Sequence, residues 1–146
     1  MKHTLARTAL GVTLADLLLK LVPLGPDRAL LPGLMGLTRA SNPGVAFGLL
    51  GNKPEANLAL TALLVCALAF FLARERLTRL QAVASGLMLG GALGNLLDRA
   101  AHGAVSDYLR FLFMDFPVFN LADACLTLGT ALLAASLLPA LSRRRP

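Results

Sequence analysis

Four long apolar runs constrain the fold of this chain more than any other feature of its sequence. The runs cover about residues 5–24, 56–73, 80–97 and 121–141, and each is long enough to cross the hydrocarbon layer of a bilayer as an α-helix. The chain is 56% hydrophobic and only 15% charged, whereas about a quarter of the residues of an average soluble domain are charged. The sequence therefore predicts an all-α integral membrane protein, a single membrane domain over residues 1–146 with four transmembrane helices.

The basic residues predict how these helices are oriented. Placing the N-terminus inside the cell gathers almost all of the excess positive charge on one side of the membrane, where basic residues are preferred. The residues on that side are Lys2, Arg7, Arg74, Arg76, Arg79 and Arg143, Arg144 and Arg145. We therefore expect both termini to be cytoplasmic and residues 25–55 and 98–120 to be extracytoplasmic. Asp16 and Lys20 interrupt the first run, which indicates an uncleaved helix rather than a signal peptide.

The two extracytoplasmic connections differ in composition. Residues 25–55 are rich in glycine and proline, which discourages a long helix. We expect a small, partly β-like element there, between the first and second helices. Residues 100–117 combine charged and aromatic side chains, and this mixture favours a partly ordered loop that rests at the membrane interface.

Three aspartates stand at the outward ends of the apolar runs. Asp98 closes the third run, Asp107 lies in the following connection, and Asp123 opens the fourth run beside Asn120. Carboxylates are costly at the border of hydrocarbon, and two that share a proton can activate water. Helix capping by Asn120 and Asp123 would explain those two residues without any chemistry. It does not explain Asp107, which the topology places at the same level of the membrane.

Further polar residues lie near this level. Asp16 and Lys20 are one helical turn apart and could be either a structural ion pair or part of a polar pocket in the bundle. Asn95 lies one turn before Asp98 and could hydrogen-bond carboxylates across the bundle. We favour a supporting role for Asp98, which could pair with Arg99. The Asn42-Pro43-Gly44 string predicts a turn that could also bind the backbone of an extended peptide.

Small residues predict how the helices pack. Ala82, Gly86, Gly90 and Gly94 recur every four residues, so they form one smooth stripe that lets another helix approach closely. Cys66 and Cys125 lie inside apolar runs and are interpreted as small hydrophobic residues. No cluster with the spacing of a metal site occurs, and we expect no metal and no cofactor.

Two other classes of function are compatible with such a bundle. A small proton- or cation-coupled transporter would use Asp16, Lys20 and Asp98 as a relay, although the acidic residues gather at one face of the membrane. A purely structural membrane subunit would depend on the glycine stripe and not on the aspartates.

Three short sequence motifs, taken together and in their order along the chain, resemble those of one protein family. Asn42-Pro43-Gly44-Val45-Ala46-Phe47, the run from Gly90 to Arg99 that continues to Asp107, and Phe119-Asn120-Leu121-Ala122-Asp123 resemble the lipoprotein signal peptidases (signal peptidase II). Asp16 with Lys20 in the first helix also resembles that family, and the resemblance covers essentially the whole chain. One departure is Ser106-Asp107-Tyr108, where the family more often has Val-Asp-Phe.

The resemblance implies an intramembrane aspartic endopeptidase of the bacterial inner membrane. Such an enzyme removes signal peptides from diacylglyceryl-modified prolipoproteins, cuts before the lipidated cysteine and is a target of the antibiotic globomycin. Asp107 and Asp123 match the catalytic pair of the family. Its supporting and substrate-binding positions match Asp16, Lys20, Asn42, Gly44, Asn95, Asp98, Arg99 and Asn120. We expect a monomer that acts in contact with membrane lipid and does not bind nucleic acid.

Overall fold

A computed structural model describes residues 1–44 and 53–142 of the chain. The predictions made for residues 45–47 and 143–145 lie outside the described residues. The helices are α1 (Lys2–Leu21), α2 (Pro54–Arg74), α3 (Arg79–His102) and α4 (Leu121–Ser142), and the strands are β1 (Arg28–Leu31), β2 (Met35–Asn42) and β3 (Val105–Phe111).

Within the described residues, three helices are long and apolar enough to cross a membrane. They are α2, α3 and the Leu121–Leu138 part of α4, with mean hydropathies of 2.3, 1.4 and 1.8. The remaining predicted span, residues 5–24, corresponds to α1, which is 20 residues long and contains Arg7, Asp16 and Lys20. It ends at Leu21, earlier than predicted, because Val22 is already extended ahead of Pro23.

The predicted β-like element is a three-stranded antiparallel sheet in the order β1-β2-β3. The sequence placed this element between the first two helices, and two of its strands lie there. The third, β3, comes from residues 100–117, where the sequence analysis expected a partly ordered loop, and that expectation is wrong for Val105–Phe111. The strand forms because Val105, Tyr108 and Phe111 favour extended structure and β2 offers a partner edge. Gly103 ends α3 in the left-handed conformation, with φ of 73°, and turns the chain into β3.

The predicted small-residue stripe lies where α1 and α3 cross. A Cβ atom at Gly86 would lie 2.6 Å from Cβ of Thr8, and one at Gly90 would lie 2.6 Å from the carbonyl oxygen of Ala9. The backbones are therefore as close as small residues allow, which confirms the packing role that the spacing predicted.

The distribution of polarity is that of a protein in lipid. Large apolar side chains are exposed on the outer faces of the helices, for example Leu18 on α1 and Leu63 on α2. Polar and charged side chains are buried inside: Thr13, Asp16, Asn57, Ser85, Asp98, Arg99, Asp107 and Asn120. Charged groups in such a bundle need internal partners, and those partners define the site.

Candidate functional site

The site is built where the C-terminal ends of α1 and α3, strand β3 and the first turn of α4 meet. Asn120 and Asp123 begin α4 with reciprocal hydrogen bonds. The backbone N–H of Asp123 donates to Oδ1 of Asn120 at 2.9 Å, and the backbone N–H of Asn120 donates to Oδ2 of Asp123 at 3.2 Å. This arrangement is a capping box, so the capping role that the sequence allowed for these residues is present.

The Asn120 side chain also reaches across to β3. Its Nδ2 donates to Oδ1 of Asp107 at 2.7 Å, and the same nitrogen lies 3.1 Å from Oδ1 of Asn95. Asn95 in turn donates from Nδ2 to Oδ1 of Asp123 at 2.8 Å. Asp107, Asn120, Asn95 and Asp123 therefore form one hydrogen-bonded set drawn from three elements of the fold.

Burial and charge both act on Asp107. Its side chain is buried, and this burial is the main reason that its pKa rises from 3.8 to about 6. The negative charge of Asp123 raises the pKa further, whereas hydrogen bonds from Asn42 and Asn120 lower it. Asp107 is therefore a carboxyl group that holds or releases a proton close to neutral pH.

Lys20 neutralises the carboxylates on the α1 side of the set. Its Nζ lies 2.8 Å from Oδ2 of Asp16 and 3.4 Å from Oδ2 of Asp98, and it donates to Oδ1 of Asn95 at 2.9 Å. Asp16 accepts the backbone N–H of Ala122 at 3.0 Å, which ties α1 to the first turn of α4. Asp16 and Lys20 are thus an ion pair inside the bundle that also contacts the polar set.

Asp98 joins α3 to β3. Its Oδ2 accepts the backbone N–H of Ser106 at 2.7 Å, and its Oδ1 lies 2.8 Å from Nδ1 of His102. The sequence suggested a pair between Asp98 and Arg99. In the structure Asp98 pairs instead with Lys20 and His102, because neighbouring residues on a helix point in different directions.

Arg99 faces the turn at the end of β2. Its Nη2 donates to the carbonyl oxygen of Gly44 at 2.7 Å, and its Nη1 lies 3.4 Å from Oγ1 of Thr61. The turn itself is closed by the backbone N–H of Gly44, which donates to Oδ1 of Asn42 at 3.1 Å. The Asn42–Gly44 turn and α3 are therefore held together by a buried guanidinium group.

Sequence reasoning missed Asn57, which is fully buried on α2 and donates from Nδ2 to the carbonyl oxygen of Pro43 at 2.6 Å. An amide side chain near the start of an apolar run was the available signal. It also missed His102 and the hydroxyl group of Tyr108, which accepts the backbone N–H of Leu121 at 3.1 Å. Burial raises the pKa of Tyr108 to about 12, so this hydroxyl stays neutral.

Two cavities flank the hydrogen-bonded set. Cavity 1, of about 440 Å³, has a wall of α1 leucines and a polar side that includes Lys20, Arg39, Asp98 and Asp107. Cavity 2, of about 470 Å³, is lined by Asp123 and by residues that include the following: Asn42, Gly44, Thr61, Val65, Leu68, Asn95, Arg99 and Leu126. Asp107 lines cavity 1 and Asp123 lines cavity 2, and the Asn120 side chain between them hydrogen-bonds to both residues.

No group of three or more His, Cys, Asp or Glu residues in the described ranges, 1–44 and 53–142, is arranged to hold a metal ion. The arrangement instead provides two interacting carboxyl groups, one of them able to hold a proton near neutral pH, next to open space. Two such groups can act as general base and general acid toward a bound molecule.

Comparison with known proteins gives a consistent answer. The lipoprotein signal peptidase of Symbiobacterium thermophilum is 43% identical over 107 residues, which is 71% of this chain and 70% of that protein. The corresponding protein of Brevibacillus brevis is 38% identical over 118 residues, 80% of this chain and 79% of the relative. A bacterial membrane enzyme solved by the in meso method at 2.3 Å resolution superposes with a TM-score of 0.85 at 30% identity, over 98% of this chain and 92% of that one. The sequence model of signal peptidase (SPase) II matches residues 8–139, and the chain belongs to the signal peptidase II family.

Proposed function

We propose that this membrane peptidase removes signal peptides from lipoprotein precursors and that Asp107 and Asp123 are its catalytic pair. The observation that carries the assignment is the Asn120 side chain, which donates to the carboxyl group of Asp107 and accepts the backbone N–H of Asp123. It holds two carboxyl groups close enough for the charge of one to raise the pKa of the other. The substrate is a diacylglyceryl-modified prolipoprotein, cut before its lipidated cysteine.

The chemistry follows from a pair of carboxyl groups that shares one proton. The ionised member removes a proton from water, and the resulting hydroxide attacks the carbonyl carbon of the scissile peptide bond. The protonated member donates its proton to the carbonyl oxygen as the tetrahedral intermediate forms. The roles of general base and general acid are assigned to the pair and not to one aspartate each, because coupled carboxyl groups titrate together.

The supporting residues have two tasks in this proposal. Asp16, Lys20, Asn95, Asp98 and Asn120 fix the positions of β3 and the first turn of α4, which carry the two aspartates. Arg99, Asn42 and Gly44 line cavity 2, and the Asn42–Gly44 turn that Arg99 holds in place would guide a peptide backbone there. Val65, Leu68 and Leu126 continue that cavity into the apolar part of the bundle, where an apolar signal peptide would lie.

The proposed topology is a single membrane domain in which α1 crosses the membrane in addition to α2, α3 and α4. The side chains of Asp16 and Lys20 are 0% and 4% exposed, so these charges are neutralised inside the bundle and do not face lipid. The bias of basic residues supports cytoplasmic termini in the bacterial inner membrane, with the site near the outer face. We propose that the enzyme acts as a monomer and needs no cofactor.

The transporter alternative lacks support. The buried acidic residues gather at the end of the bundle that carries the sheet, and the relatives found by comparison are peptidases.

The test uses the purified protein and a precursor that carries a diacylglyceryl-modified cysteine, with the products identified by mass spectrometry. We expect a single cut before the lipidated cysteine, inhibition by globomycin and no cut in the unmodified precursor. Asp107→Asn and Asp123→Asn should each lower turnover by about 10³-fold or more, whereas Asp115→Asn, an exposed aspartate outside the site, should not. Near-normal turnover by Asp107→Asn or by Asp123→Asn would refute the assignment of these two aspartates as the catalytic pair.

A further inference from the structure

Strand β2 has an edge, on the side away from β3 and its Asp107, that is only partly paired among the described residues. β1 pairs with β2 only over Met35–Leu37, within the residues that the structure describes. From Ala40 to Asn42, β2 pairs with β3 on its other side, and Ala40 stands opposite Asp107. A strand edge of this kind is a template that an extended peptide can join through main-chain hydrogen bonds.

This free edge borders cavity 1. Arg39, Ala40 and Ser41 line the cavity from the sheet, and Ser106, Asp107 and Tyr108 line it from the adjacent strand. An extended peptide along this edge of β2 would therefore border the cavity, one strand away from β3, which carries Asp107. The leucines of α1 that form the opposite wall would offer apolar surface beneath it.

The two cavities suit the two halves of a cleaved substrate. Cavity 2 continues between α2, α3 and α4 along apolar side chains, which fits an apolar signal peptide. Cavity 1 lies on the Asp107 side, between the end of α1, the end of α3 and the sheet. The half of the substrate that begins with the lipidated cysteine would then occupy cavity 1 and the free edge above it.

The charges around this edge indicate which side chains the peptide would carry. Arg39 is exposed and has no ion-pair partner among the described residues. The other charged or titratable groups of the cavity are Lys20, Asp98, His102, Asp107 and Tyr108. Lys20 and His102 are already engaged with Asp98, so Arg39 is the positive group left to meet a side chain at the rim.

We propose that the free edge of β2, from Arg39 to Asn42, binds the segment that follows the lipidated cysteine as an added strand, and that Arg39 selects for an acidic residue early in that segment. This inference rests on the proposed function and specifies its substrate class. It also assigns a role to a part of the sheet that the acid-base chemistry does not use.

The first test probes the added strand with lipidated precursors that are N-methylated at one backbone amide each, at the second, third, fourth or fifth residue counted from the cysteine. Alternate residues of an added strand donate to the template, so we expect kcat/KM to fall about tenfold or more at alternate positions and to change little between them. A response without alternation would overturn the added strand.

The second test probes Arg39 with precursors that carry Asp or Lys at the position after the cysteine, or one residue later. The unmodified enzyme should favour Asp by about threefold to fivefold in kcat/KM, the size expected for a partly solvated ion pair. Arg39→Glu should reverse the preference, and Arg28→Glu, a matched exposed change on β1 away from both cavities, should leave it intact. The same ratio in all three enzymes would overturn the selectivity.

The two proposals fail in distinguishable ways. If the unmodified enzyme cuts none of the lipidated precursors, the proposed function is wrong. If it cuts them all without alternation and with a charge preference that Arg39→Glu does not change, only the inference about β2 is wrong.

Discussion

Asn120 and Asp107 are joined by a hydrogen bond of 2.7 Å from the side-chain nitrogen to the carboxyl oxygen. Asn120 is fully buried and also caps the helix that carries Asp123. Asn120 therefore caps the helix, as the sequence suggested, and also contacts both carboxyl groups: its side chain donates to that of Asp107 and its backbone N–H donates to that of Asp123. The capping interpretation and the catalytic interpretation do not compete here, because the cap is the device that sets their relative position.

Two substitutions at Asn120 separate these tasks. Serine can still cap α4 but is too short to reach Asp107, whereas alanine does neither. We expect both Asn120→Ser and Asn120→Ala to lower kcat for a lipidated precursor by about tenfold or more, since general acid-base groups are sensitive to position. Only Asn120→Ala should lose a further free energy of unfolding of about 1 kcal/mol. Full activity in Asn120→Ser would show that the contact with Asp107 is dispensable.

Asp107 should make the stability of the protein depend on pH. Its pKa is about 6 in the folded protein, against 3.8 for a solvated carboxyl group. Because the folded state binds this proton more tightly, the stabilisation is complete below pH 3.8 and is lost as the pH rises through about 6. The loss can reach about 3 kcal/mol at pH 8.

Replacing this carboxyl group with an amide should remove that cost. We expect Asp107→Asn to unfold at a higher temperature than the unmodified protein at pH 8 and at the same temperature at pH 4, measured in detergent. Asp115→Asn, at an exposed position, is the control and should follow the unmodified protein at both pH values. If the two curves of unfolding temperature against pH run parallel, the ionisation of Asp107 does not limit stability.

The sequence predicted the four helices because each apolar run is about as long as a bilayer is thick, which leaves few alternatives. The orientation inferred from the basic residues stays a prediction. The sequence also identified Asp16, Lys20, Asn95, Asp98, and Asn120 as polar residues near one level, and the structure connects them by hydrogen bonds and ion pairs. What could not be predicted was the choice of partner. Asp98 pairs with His102, one turn along α3, and with Lys20 on α1 rather than with Arg99, and the residue of α1 that meets Asp98 depends on how the two helices pack.

Strand β3 was missed for a different physical reason. Isolated strands have no internal hydrogen bonds, so Val105–Phe111 becomes a strand only because β2 is present to pair with it. β2 lies far away in the sequence, beyond two long helices. The local composition of residues 100–117, with its charged and aromatic residues, predicts a loop. The position of Asp107, opposite Ala40 on β2, depends on this long-range pairing.

Tyr108 offers a spectroscopic test of the interior beside the site. It is the one tyrosine of a chain without tryptophan, so the ultraviolet absorbance of phenolate reports on it alone. Burial raises the pKa of Tyr108 to about 12, so we expect the absorbance of the folded protein in detergent to change with a midpoint near 12. In denaturant the midpoint should return to about 10. A midpoint near 10 in the folded protein would contradict the burial of this hydroxyl group.

Gly94 tests whether the site depends on the close contact between α1 and α3. A Cβ atom there would lie 2.6 Å from Oδ2 of Asp16, so Gly94→Ala must displace the carboxylate that pairs with Lys20 and accepts the N–H of Ala122. We expect the free energy of unfolding to fall by about 1–3 kcal/mol, as for other overpacked interiors, and the rate of cleavage to fall with it because the first turn of α4 loses an anchor.

Gly11→Ala is the matched control on α1, where an added Cβ meets nothing within 4 Å. It should stabilise the helix by up to about 1 kcal/mol, since alanine favours helix over glycine. Equal stability and activity in the two variants would mean that the bundle yields at Gly94 and that the Asp16 anchor does not position α4.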